Sequence, residues 1–120
     1  ILVRKGRAIA TPAGFTGTGP VPGSVITYTN YYTNTSTGTA TNLIFVDFIP
    51  NNTTFITGTI VSTPHVGGLA TNEYLVGGSW VLAAPAGPLA PTVTAVRMRL
   101  AGDRVPGGGY GNFRFRVMIR

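Results

Sequence analysis

The sequence has no cysteine and no glutamine, only three acidic residues and a single histidine in 120 positions. Without thiols there is no disulfide framework, no thiolate metal centre and no thiol redox chemistry. Asp47, Glu73 and Asp103 are scattered, leaving no carboxylate pair for general acid–base work and too few oxygens for a calcium cage. His65 has no carboxylate or second histidine near it in sequence, so it reads as an ordinary loop residue rather than a zinc ligand or a base. Ser24, Ser36, Ser62 and Ser79 therefore have no His/Asp arrangement to serve them. The glycines at 107–109 are followed by neither a helix nor a Lys-Ser/Thr pair, so they are not a phosphate loop. No apolar run is long enough to cross a bilayer as a helix, and no helical period extends over a useful length. The expectation is a protein that is not an enzyme and uses no cofactor or metal.

What the chain has in quantity is glycine, threonine and proline, punctuating short alternating stretches. Charged residues make up 10%, against roughly 25% in an ordinary soluble domain. A chain of 120 residues reads as one all-β domain with room for a core. Residues 24–33 set Ile26, Tyr28 and Tyr32 on one parity, with Thr27, Thr29, Tyr31 and Thr33 between them. That is a strand with one face on a core. Residues 34–41 form a Ser/Thr/Asn/Gly loop, and residues 42–49, NLIFVDFI, a second strand that Pro50 ends. Farther on, 53–61 reads as one strand or two short ones with Phe55 inward, 62–78 as irregular, Trp80 as core and 85–91 as a rigid turn. Residues 92–100 alternate again, with Val96, Met98 and Leu100 opposite Arg97 and Arg99. Residues 112–120 repeat this, with Phe113, Phe115, Val117 and Ile119 opposite Arg114 and Arg116. Residues 102–111 read as a hairpin connection, so the two strands should pair antiparallel and place Arg97, Arg99, Arg114 and Arg116 on one basic outer face.

The stretch 22–55 carries a resemblance. A Pro-Gly turn (Pro22-Gly23), a strand ITYTNYYTN, a TGTATN loop, a strand LIFVDFIP and an NTTF-x-x-G turn ending at Gly58 follow one another. This order resembles the conserved repeat domain of bacterial and archaeal surface proteins, over about a quarter of the chain. The resemblance implies a single immunoglobulin-like antiparallel β-sandwich and an extracellular, cell-surface address reached after removal of a targeting segment. It brings no catalytic residues. Two positions depart from the pattern. Asn30 stands where an aliphatic residue is usual, so its amide must find partners, a loop backbone or the tyrosine hydroxyls, or cost about 1–3 kcal/mol. In the second strand Ile44, Val46 and Phe48 replace threonines on the outer parity, while Leu43, Phe45 and Ile49 hold the inner one. A strand apolar on both faces is covered on both faces, either by a loop or N-terminal segment of the same chain or by a neighbouring subunit.

Residues 1–10, ILVRKGRAIA, form an extended segment with Ile1, Val3 and Ile9 on one parity and Leu2 on the other, joined to the body by a Gly/Pro-rich arm ending at residue 21. The organisation is thus an N-terminal strand and arm, 1–21, and a sandwich, 22–120. The segment is either the first strand of its own sheet or a donor strand that completes the sheet of the next copy. Head-to-tail donation does not close and so makes a filament. The favoured function is a self-assembling subunit of a pilus-like extracellular fibre. Its interface residues are Ile1, Leu2, Val3 and Ile9 on the donor strand and Ile44, Val46 and Phe48 on the acceptor face. The alternative is a monomeric surface or adhesin module. Its net charge of +6 and its arginine face would hold an anionic glycan or cell wall. The aromatics interleaved with the arginines point to the opposite face, which argues against specific nucleic-acid binding. Three sequons make Asn34 the first glycosylation candidate, with Asn51 and Asn52 overlapping behind it.

Overall fold

A computed structural model describes residues 1–17 and 21–120, with the side chains of residues 101–104 excepted. The chain is an all-β sandwich of two antiparallel sheets, consistent with an immunoglobulin-like fold. The larger sheet has the order β1 (Leu2–Ala10), β2 (Val25–Thr33), β10 (Tyr110–Ile119), β4 (Thr53–Ile56) and β8 (Leu89–Ala90), and β5 (Val61–Thr63) also pairs with β10. The smaller sheet has the order β3 (Ala40–Phe48), β9 (Val93–Val105), β6 (Thr71–Val76) and β7 (Ser79–Val81).

Alternation decides what each strand buries. Ile26, Tyr28 and Tyr32 of β2, Phe113, Phe115 and Val117 of β10, and Val96, Met98 and Leu100 of β9 all lie in the core. Phe55 of β4 is fully enclosed between the rings of Tyr74 and Phe115. Tyr32 stacks on Phe45 of the opposite sheet, centroids 4.9 Å apart. A bulge between Thr41 and Leu43, at Asn42 with φ 55°, sets the register in which Leu43 and Phe45 turn inward. An asparagine tolerates that left-handed backbone better than most residues.

Three sequence expectations are corrected. Residues 92–100 and 112–120 do not pair. The strand β9 runs on to Val105 and the chain then changes sheets through a turn in which Gly109 N–H donates to Pro106 O at 2.8 Å. Both edges of β9 are taken by β3 and β6, and both edges of β10 by β2 and by β4 and β5. Neither strand has an edge left for the other. The stretch 62–78 is not irregular throughout, because 71–76 is strand β6. Its hairpin to β7 turns on Gly77 and Gly78, φ 59° and 81°, the two-residue positive-φ turn that suits hairpin twist. The third correction concerns Trp80, which faces away from the core and is described below.

Candidate interface on the β1–β3 side

The strands β1 and β3 are the edges of their sheets on the same side of the sandwich. The structure places residues 2–10 on the chain's own β2, paired over nine residues from Leu2↔Thr33 to Ala10↔Val25. Yet β1 buries almost nothing: every residue of it is exposed except half-buried Gly6. Ile1, Leu2, Val3 and Ile9 remain 49, 57, 52 and 38% accessible. The reason is geometric. The inward parity of β1, set by Val3↔Tyr32, Lys5↔Asn30, Arg7↔Tyr28 and Ile9↔Ile26, overhangs the four-stranded sheet, where β3 is already the last strand.

The outer face of β3 is equally bare. Ile44, Val46 and Phe48 are 49, 45 and 68% exposed, so no described segment of the chain lies over them. The expected cover from a loop or from the N-terminal strand is not present among the described residues. Beside this apolar row, Arg99 faces Ile44 and Arg97 faces Val46. Glu73 of β6 faces Arg97 on the other side and is buried under it, with Arg97 Nε donating to Glu73 Oε1 at 3.0 Å. Arg99 Nε lies 3.1 Å from the same oxygen without hydrogen-bond alignment. The Arg97 guanidinium carbon sits 4.2 Å above the Trp80 ring, a distance at which a cation is held by the ring's quadrupole. Trp80 is thus the floor of an arginine stack on the outer surface, not a core residue.

The four arginines do not form one face. Arg97 and Arg99 belong to the outer side of the four-stranded sheet, Arg114 and Arg116 to the outer side of the other, where they face Thr29 and Thr27. With the sheets back to back, the two pairs point in opposite directions. The basic face inferred from the sequence is therefore split, and in one half Arg97 and Arg99 share the single carboxylate of Glu73.

Between β1 and β3 lies a polar contact that sequence reasoning missed. Asp47, buried on the inner parity of β3, accepts from Lys5 Nζ at 2.7 Å and from Asn30 Nδ2 at 2.9 Å. The Lys5 ammonium also sits 4.5 Å from the centre of the Tyr28 ring. Asn30 is satisfied by this carboxylate, not by a loop backbone or tyrosine hydroxyls. The signals were Asn30 and Asp47, each polar at an apolar parity. Only the packing of the two sheets shows that they meet.

The remaining predicted positions resolve separately. Asn34 is buried, and both hydrogens of its amide are in use, donated to Gly38 O at 2.8 Å and Val105 O at 2.9 Å. No room or valence is left for a glycan, so Asn34 is withdrawn as a glycosylation candidate. It is a clamp on the sheet-changing turn, with its N–H on Gly109 O and its C=O on Gly108 N–H, each 2.8 Å. Asn51 and Asn52 are exposed in a turn, Asn52 at φ 63°. His65 is in a loop but buried, with Nδ1 3.0 Å from Tyr32 Oη and its backbone N–H donating to the same oxygen at 2.9 Å. A cavity of about 480 Å³ opens beside it, between Pro64 and Tyr110. Asp103 falls outside the described side chains. Among the described residues no three His, Cys, Asp or Glu side chains gather as a metal site, and no helix is long and apolar enough to cross a membrane. The chain matches no protein-family model, no curated protein and no solved structure.

Proposed function

We propose that this chain is a structural subunit of an extracellular filament, joined to copies of itself through the β1–β3 side of the sandwich. The observation that carries the reading is the bare apolar edge. Two nine-residue edge strands lie side by side with Ile1, Leu2, Val3, Ile9, Ile44, Val46 and Phe48 all more than a third exposed. Unpaired edges of that length template pairing with another chain. Burying the exposed part of each apolar side chain would stabilise an assembly by roughly 1 kcal/mol or more per residue.

In this reading β1 leaves its place on its own β2 and fills the equivalent place in the next copy. Exchange suits β1, because it gives up main-chain hydrogen bonds that the next copy restores, and almost no buried apolar area. The four-arginine basis for a glycan-binding module is gone, since those residues lie on two opposite faces.

The test is negative-stain microscopy with sedimentation of the purified protein, of a form lacking residues 1–10, and of Phe48→Asp. Fibres from the first and dispersed, folded protein from the other two are expected. A monomer at every concentration, or normal fibres from the deletion, would overturn the proposal.

A further inference from the structure

The chain has one lysine against eight arginines. That lysine, Lys5, shares the Asp47 carboxylate with an amide: Lys5 Nζ on Oδ1 at 2.7 Å, Asn30 Nδ2 on Oδ2 at 2.9 Å. Lys5 and Asn30 are direct partners across β1 and β2, where facing Cβ atoms stand about 5 Å apart. Asn30 and Asp47 are both buried, Asn30 on β2 beside the inward residues Ile26, Tyr28 and Tyr32, and Asp47 opposite it on β3. If only an ion pair were wanted, arginine would serve, and the chain uses arginine for every other basic residue. Arginine stays protonated and cannot act as a nucleophile, whereas a lysine amine can.

We propose that the Lys5 and Asn30 side chains become joined by an amide bond that the folded protein makes itself, with Asp47 carrying the protons. Asp47 takes a proton from the Lys5 ammonium. The freed lone pair on Nζ attacks Asn30 Cγ, and the carbonyl electrons move onto oxygen. Asp47 returns its proton to Asn30 Nδ2 and takes a second one from Nζ. The Cγ–Nδ2 bond then breaks and ammonia departs. Ammonia collects the proton left on Asp47, so lysine ammonium plus asparagine amide give a secondary amide plus ammonium. No oxidant, metal or outside reagent enters. The fold supplies the proximity, which in well-oriented groups replaces an enormous concentration of reactant.

The bond would tie β1 covalently to β2, which otherwise holds it by backbone pairing and by the contacts of Arg4 and Lys5 with the Tyr31 and Tyr28 rings. It stands whether β1 serves its own sheet or, under the assembly reading above, that of a neighbour. In the second case each copy is linked to the next.

Intact-mass spectrometry of the purified protein should read one ammonia, about 17 Da, below the sequence mass. Trypsin should then fail to cut after Lys5, and a branched peptide should join the Lys5 fragment to the one containing Asn30. Lys5→Arg and, separately, Asp47→Asn should both return the full mass, with the β-sheet circular-dichroism signal confirming that they fold. A wild-type protein at full mass with a free Lys5 overturns the proposal. Loss of one water in place of ammonia overturns it too, since that would put the bond on Asp47. On a denaturing gel, a bond within one chain gives a mass-shifted monomer, and a bond between chains gives a ladder. Both support the bond and only the ladder supports exchange of β1, so the two readings fail independently.

Discussion

Truncating Glu73 gives the sharpest test of how the outer face of the four-stranded sheet is held. Glu73 is 7% exposed although it points away from the core, because Arg97 and Arg99 roof it. In Glu73→Ala the Arg97 Nε–H loses its acceptor and two guanidinium groups on one strand lose the charge between them. Removing one partner of a fully buried pair costs about 3–5 kcal/mol. The arginine side chains here are 20 and 38% exposed, so water recovers part of that and about 2 kcal/mol remains. For a domain of this size that is a fall in Tm of about 8 °C. Urea titrations followed by circular dichroism and by fluorescence of Trp80, which lies under Arg97, would measure it. Arg97→Ala should cost more than Arg99→Ala, since only Arg97 makes an aligned hydrogen bond and stacks on the indole. The double variant Glu73→Leu/Arg97→Met should recover part of the loss, because only Arg99, 38% exposed, is then left without the carboxylate. A loss under about 0.5 kcal/mol for Glu73→Ala, the scale of an ordinary surface substitution, would refute this account.

Other outcomes follow from single contacts. Tyr32→Phe removes the oxygen that accepts from His65 N–H and meets Nδ1, and should lower stability by about 1–2 kcal/mol in urea titration. Gly111→Ala should cost about 1–3 kcal/mol by the same assay; its new methyl would lie 2.6 Å from Tyr32 Oη and 2.7 Å from Thr63 O. Burial raises the pKa of Tyr74 above its ordinary 10.0. The folded state therefore favours the neutral phenol. The stability this gives is whole below about pH 10 and is lost as pH climbs through the folded value, so an alkaline unfolding titration should be milder in Tyr74→Phe.

The sequence made parity legible and partnership illegible. Period-two alternation assigned the inward residues of β2, β9 and β10, because each strand lies against one core. It could not say which sheet a strand joins. Two neighbouring alternating strands with a Gly-rich link look like a hairpin, and only the occupied edges of β9 and β10 forbid it. Trp80 was placed in the core by size; in the fold it serves Arg97. The strand β6 was hidden between Gly67-Gly68 and Gly77-Gly78, where the second pair is itself a hairpin turn. At the candidate interface, the bare face of β3 was readable from Ile44, Val46 and Phe48. The Lys5–Asp47–Asn30 contact was not, since its members come from three strands and two sheets.

The middle of the larger sheet has a bearing on synthesis. The strand β10, which follows its sheet partners in sequence, lies between β2 and the short strands β4 and β5. While the chain is still emerging from a ribosome, β2 can meet β1, but the core-facing wall of Phe113, Phe115 and Val117 does not yet exist. Closure waits for residues Tyr110–Ile119, and pairings so distant in sequence form slowly. Until then Tyr28 and Phe55 lack the Phe115 ring that packs on them, and the nascent polypeptide is more vulnerable to proteases and to premature contact with its siblings. A nonsense or frameshift change anywhere upstream of Tyr110 would accordingly leave the larger sheet without its central strand.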